Sequence, residues 1–275
     1  GCLWAVKDEV THVFKIGEVQ IRSAVINVDE PPPAYPFAAP LKRAGELLLF
    51  DAQAAILKQV KVAGQVVHMR AGEYYLMDGT NGLRFLPRAA VRLDVGDQVE
   101  VVGFPELGGP SPVLREALVQ RTGHADLPPP RELAEGSWPV GELDATRVRM
   151  EALLLNLSKD KQDQVFGLQA GPHVFVARMP ASDAAELSFP VGSKLQLTGT
   201  FAGCAGDRAA GRAVDSFELL LNSGADVRLL ARPVWSTVRR MIIVMGVLGG
   251  VLLAALVWIT LLRMQVEQLT AQLRV

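Results

Sequence analysis

The sequence predicts a mainly β chain, with two tandem OB-like five-stranded barrels followed by one transmembrane α-helix running into a coiled-coil helix. Three observations predict it. Residues 241–262 are apolar without a charge. Residues from about 60 to 123 and from about 148 to 224 repeat one strand pattern. After the apolar run, aliphatic residues recur at heptad spacing.

The repeat opens with VKVAG at 60–64 and VRMEA at 148–152. EYYLMDGTNGLRFLP at 73–87 then matches DQVFGLQAGPHVFVARM at 163–179, each being two alternating runs about a glycine turn. LDVGDQVEVVGFPE at 93–106 matches FPVGSKLQLTGTFA at 189–202, sharing Val-Gly-polar, an alternating strand, and Gly103 or Gly199. PVLREALVQRTG at 112–123 and AVDSFELLLNSG at 213–224 close the copies. Asp78-Gly79-Thr80-Asn81-Gly82 is a turn signal, since Asp, Asn and Gly tolerate positive φ. Five short strands per copy describe a compact Greek-key barrel of the OB type.

Proline-rich stretches set the boundaries: Pro31-Pro32-Pro33 before the first copy and Pro128-Pro129-Pro130 between the copies. The predicted order is residues 1–40, strands left from an upstream β-domain plus a linker; 41–126, the first barrel with a lead-in helix or turn over 41–59; 127–144, a linker; and 145–232, the second barrel. A juxtamembrane segment (233–240), the span (241–262) and the start of a cytoplasmic coil (263–275) follow. Gly1 is no initiator and no signal peptide is legible, so both ends read as interior positions of a longer chain.

At 1.5 Å per residue a 22-residue helix covers about 33 Å, against a hydrocarbon core of about 30 Å. Trp235 and Trp258 suit interfacial positions, and Arg239, Arg240 and Arg263 bracket the run. Gly246, Gly250 and Ala254 form a small-residue face on which two helices can pack. Leu262, Val266, Leu269 and Leu273 follow as a coiled-coil seam; an amphipathic helix on the membrane surface is the competing reading. Membrane lipid and a second copy of the helix are therefore expected partners. Arginines are denser before the span than after it, which alone puts the N-terminal side in the cytoplasm.

Chemistry is sparse. His12, His68, His124 and His173 are scattered, Cys2 and Cys204 read as unrelated thiols, and no nucleophile elbow, phosphate loop or paired carboxylates stand out. No enzyme activity, cofactor or metal is expected in this stretch. The 28 basic residues balance 29 acidic ones, without a basic stripe, so no nucleic-acid partner is expected. The candidate ligand face is Tyr74, Tyr75, Arg84 and Phe85, on the second and third strands of the first copy, where OB barrels often bind. The competing reading has alternate members filling the barrel core, as Phe166 and Phe175 would in the second copy.

VKVAGQVV at 60–67, LMDGTNGLRF at 76–85, VGDQVEVVGFPELGG at 95–109 and LLLNSGADVRLLARPVW at 219–235 together resemble the extracytoplasmic region of bacterial membrane sensor proteins, chiefly sensor histidine kinases and hybrid kinases. The resemblance covers roughly residues 41–275 and is structural in its motifs. It implies a single-pass protein of the bacterial inner membrane, residues 1–240 periplasmic and 263–275 cytoplasmic, against the arginine bias. It also implies an unknown periplasmic ligand or protein as input and a kinase output beyond Val275. A membrane-anchored envelope scaffold without signalling is the alternative.

Overall fold

The computed structural model describes every residue except 1, 8–13, 26, 28–30, 32, 49–57, 107–108, 135–137, 139, 161, 182–186, 205–215, 234 and 273–275. The chain divides into two units, Gly1–Ala38 and Ala39–Val275. In the first, β1 (Cys2–Lys7) and β2 (Phe14–Arg22) form an antiparallel pair with Cys2 opposite Arg22.

The second unit begins with a 3-10 turn at Ala44–Leu48, then β3 (Val60–Arg70), β4 (Glu73–Met77), β5 (Gly82–Pro87), β6 (Asp97–Glu106) and β7 (Val113–His124). These five close a barrel in the order β3-β4-β5-β7-β6. Every pairing is antiparallel except β5–β7. Strand alternation sends Val62, Val66, Leu76, Leu83, Phe85, Val99, Val101 and Leu114 into one core. At about 25 cal/mol per Å² of apolar surface, such a core is the main source of a small barrel's stability.

The second copy runs β8 (Arg131–Leu133), a helical turn α1 (Val140–Leu143), β9 (Arg147–Lys159), β10 (Asp163–Ala170), β11 (His173–Pro180), β12 (Lys194–Gly203), β13 (Phe217–Leu220) and β14 (Val227–Ala231). Its pairings follow the same circuit, β9-β10-β11-β13-β12, with β12 returning to β9. The repeat aligns residue for residue: Val60 faces Gly103 as Val148 faces Gly199. Gly96 and Gly192, both at positive φ, donate their N–H groups to Val66 and Leu154 respectively, each at 2.8 Å. Gly103 and Gly199 act alike too. A Cβ on either would stand 2.9 Å from the Arg115 carbonyl or 2.7 Å from the Leu220 carbonyl. The shared Val-Gly and second Gly of the sequence repeat thus mark a turn and a close strand approach.

Two expectations are corrected. The second sheet has seven strands, not five, because β13 and β14 divide between them the place of β7: Val227 pairs with Leu197 as Val119 pairs with Val101. Residues 221–226 are inserted at the break. Nor is 127–144 only a linker. Arg131–Leu133 pairs in parallel with β9, and Trp138 and Leu143 enter the second core. The first copy has the same lead-in, a parallel bridge of Leu41 to Lys61 followed by the turn that buries Ala44 and Leu47. The expected lead-in helix or turn over 41–59 is thus the turn at Ala44–Leu48; residues 49–57 of that expectation lie outside the described residues.

The chain ends in α2 (Trp235–Gln272), 38 residues long. Ile243–Arg263 is long and apolar enough to cross a membrane, with mean hydropathy 2.4 and no part of it buried. Gly246 and Gly250 have open space where a Cβ would stand, and Ala254 and Leu262 are exposed. Val266 and Leu269 lie on α2; Leu273 lies outside the described residues.

The glycine equivalence gives a test. Gly199→Ala forces its methyl against the Leu220 carbonyl and lowers stability by about 1–3 kcal/mol. Gly167→Ala, whose Cβ meets Asn156 Cβ at an ordinary 3.4 Å, stays within about 0.5 kcal/mol of the parent. Thermal melts of the two variants check the contrast.

Candidate functional site at the seam between the barrels

The sequence-predicted face divides in two along the strand pleat. Phe85 is fully buried in the first core, and Tyr74 stacks on it with ring centroids 5.1 Å apart while its hydroxyl donates to the Val91 carbonyl. Tyr75 and Arg84, opposite each other on β4 and β5, point outward. That outer surface is not open, because the second barrel covers it. The four residues therefore form no free ligand face: two fill the core and two are enclosed by a neighbouring barrel.

The Arg84 guanidinium is the centre of the contact. Its Nη2 donates to Asp144 Oδ1 at 2.8 Å and its Nε to Oδ2 at 3.2 Å, and Nη2 also donates to the Gly203 carbonyl at 2.7 Å. The Gly203 N–H returns a bond to Asp144 Oδ1 at 2.5 Å. Asp144 is wholly shielded and Arg84 nearly so, which makes this a desolvated, bidentate pair. Burial works against the guanidinium's charge, but the Asp144 carboxylate outweighs it and raises the Arg84 pKa. Beneath lies Tyr75, its ring centroid 5.4 Å from the Arg84 Cζ, its phenol donating to Glu73 and pushed well above the usual tyrosine range by burial.

Apolar contact surrounds the pair. Val67, Tyr75 and Met77 of the first barrel share one buried cluster with Ala145, Ala202 and Leu220 of the second. Gly82 sits so close to the Ala145 backbone that a Cβ there would overlap it. Ala145 itself holds φ at 57°, a left-handed conformation that delivers Asp144 to Arg84.

A second clamp comes from the insertion between β13 and β14. Asn222 Nδ2 donates to the Val67 carbonyl at 3.0 Å, which turns its Oδ1 toward His68 Nδ1 at 2.7 Å. His68 therefore carries its proton on Nδ1. Asp226 shapes the insertion by accepting the backbone N–H groups of Asn222 and Ser223. Arg70 and Arg178, one from each barrel, meet on Glu218.

Asp144, Asn222, His68 and Gly203 were not legible as site residues. Their one sequence signal is LLLNSGAD at 219–226, an Asn-Ser-Gly-Asp run that interrupts a strand pattern. Of the other histidines, His124 meets the buried Asp97 at 2.8 Å, His173 stacks on Trp138, and His12 lies outside the described residues. No group of three or more potential metal ligands occurs among the described residues. The arrangement holds two bodies together and offers no nucleophile beside a base.

No protein-family model matches the chain, and no curated protein matches it. Among solved structures it is similar to a murine DNA-binding protein bound with double-stranded DNA, at 12% identity, covering 63% of this chain and 97% of that one, TM-score 0.28. It is similar also to the Ifi202 HINa domain in complex with 20 bp of double-stranded DNA (10% identity, 64% and 97%, TM-score 0.23). A third is fission yeast Pot1 with single-stranded DNA (8% identity, 69% and 88%, TM-score 0.29). Likeness at this level assigns no partner. It does correct the exclusion of nucleic acid drawn from charge balance, because all three are structures of DNA complexes. Net charge sums a whole chain, whereas a nucleic acid is held by the local charge and rings of one face. The exclusion is withdrawn.

Burial lowers the His68 pKa below its ordinary 6.5. An unfolded chain then takes up that proton first as pH falls, so the folded state loses stability from about 6.5 down to the lowered value, and none further from this group below it. His68→Gln is expected to flatten the fall in thermal midpoint over this window. An unchanged slope would mean that His68 is not the group responsible.

Proposed function

We propose that this chain is the tandem OB-like, extracytoplasmic input region and single membrane span of a bacterial signalling protein, of the sensor histidine kinase type. One observation carries the reading: the second barrel and the apolar helix are joined with almost no slack. The β12–β14 ladder runs as far as the Lys194–Ala231 pair, and α2 starts at Trp235. Pro233 packs against the Gly192 turn, where a Cβ on Gly192 would stand 3.1 Å from the proline's. Displacement of the barrel is therefore passed to the helix and not absorbed by a flexible linker. A helix unbroken by proline from Trp235 to Gln272 then carries it on. On this reading the small residues Gly246, Gly250 and Ala254 pack against a second copy of the helix, and Leu262, Val266, Leu269 and Leu273 continue the contact as a coil. The catalytic output belongs to residues past Val275.

The second reading is a membrane-anchored envelope scaffold. The occupied Tyr75–Arg84 face favours it over small-molecule sensing, since the face expected to take a ligand already holds the second barrel. The two readings share the sidedness and differ in output.

Sidedness is tested at Cys204, whose thiol is exposed. Burial of part of the residue raises its pKa, so labelling is run above pH 8 to supply thiolate. In a Cys2→Ser background, a membrane-impermeant maleimide should label Cys204 in intact cells with a permeabilised outer membrane. Labelling only after lysis would place the barrels in the cytoplasm and overturn both readings.

A further inference from the structure

The repeat lets each position of the covered face on the first barrel be matched to its counterpart on the second. Tyr75 faces Arg84 where Gly167 faces Val176, and His68 faces Tyr75 where Asn156 faces Gly167. Gln65 and Met77 correspond to Leu153 and Gln169. Both first strands carry a bulge at the same point, Val67 in one copy and Leu155 in the other. On the first barrel these positions bury Val67, His68, Tyr75 and Met77 under the next barrel. On the second, Leu153, Leu155 and Val174 are 42%, 39% and 69% exposed.

The composition of the open face differs in one consistent way. His68 becomes Asn156, Tyr75 becomes Gly167 and Arg84 becomes Val176. The charged and hydrogen-bonding groups that lock the first face to Asp144 and Asn222 are gone, and aliphatic side chains on a flatter strand pair replace them. A neutral face has an electrostatic consequence. Two identical copies can meet across a two-fold axis without opposing like charges, which a face bearing Arg84 could not do. The charges nearest it are paired at the rim, as Lys194 is with Glu151 at 2.7 Å.

We propose that the outer face of β9, β10 and β11 is the docking surface for a second copy of this chain, the two second barrels meeting face to face about a two-fold axis. What the first barrel satisfies within the chain, the second satisfies between chains. The inference rests on the repeat and not on the signalling reading, so either stands if the other fails.

The test uses the full chain in its membrane, with Cys2→Ser and Cys204→Ser, and Val174→Cys on the face. Thr122→Cys, exposed on the first barrel, is the control. A short bis-maleimide should cross-link Val174→Cys into a dimer and leave Thr122→Cys monomeric. Adding Leu155→Arg should cut the cross-linked fraction by about tenfold, since a buried unpaired charge costs more than the 1.4 kcal/mol that tenfold represents. A thermal melt matching the parent's shows that Leu155→Arg still folds; if it does not, Leu153→Gln replaces it. Equal cross-linking at both sites overturns the proposal. So does a Val174→Cys thiol that labels readily but never cross-links, one shielded by residues 1–38 of its own chain, or one protected by a single-stranded oligonucleotide.

Discussion

The buried pair of Arg84 with Asp144 decides how the second unit is put together. Two small barrels joined through Pro128-Pro129-Pro130 have no reason to adopt one relative orientation unless something specifies it. A bidentate guanidinium–carboxylate contact has a fixed plane and direction, and here both partners also engage Gly203. Desolvation makes such a pair a modest source of net stability compared with an apolar replacement. Its value lies in specificity, because any other docking leaves a buried charge unpaired. The apolar cluster around Tyr75 and Ala145 supplies adhesion, and the pair supplies register.

The second clamp shows how one repeat was adapted to hold the other. In the first copy β7 runs unbroken from Val113 to His124. In the second the same path is cut into β13 and β14, and the intervening residues fold back on Asp226 to present Asn222 to His68 and Val67. The insertion leaves both pairings with β12 intact, so the barrel keeps its closure while gaining a contact. Because β14 also leads into α2, one interrupted strand both grips the first barrel and launches the helix.

Much of this fold was legible in the sequence, and the failures share a cause. Val-Gly turns, the Gly103 and Gly199 approaches and the alternating strands follow from local chemistry, so the repeat could be aligned by eye. The apolar run at 241–262 was legible for the same reason, and the helix there spans Trp235–Gln272. Tyr75 and Arg84 were marked as unusual correctly, but pattern alone cannot say whether an outward aromatic and cation await a ligand or another part of the chain. Asp144 was invisible because it sits 60 residues from Arg84 in a segment read as linker. Asn222 was quoted only within a motif. Its role depends on a pairing between strands that no local rule supplies.

The central claim is that the two barrels behave as one body through this pair, and hydrogen exchange of the full chain tests it most directly. The account predicts that peptides from β4–β5 and from β12–β13 share one opening free energy, and that Arg84→Ala lowers protection in both by a similar amount, about 3–5 kcal/mol. Protection lost in residues 73–87 alone, with β12 and β13 unchanged, would contradict it and leave the barrels as independent beads on a linker.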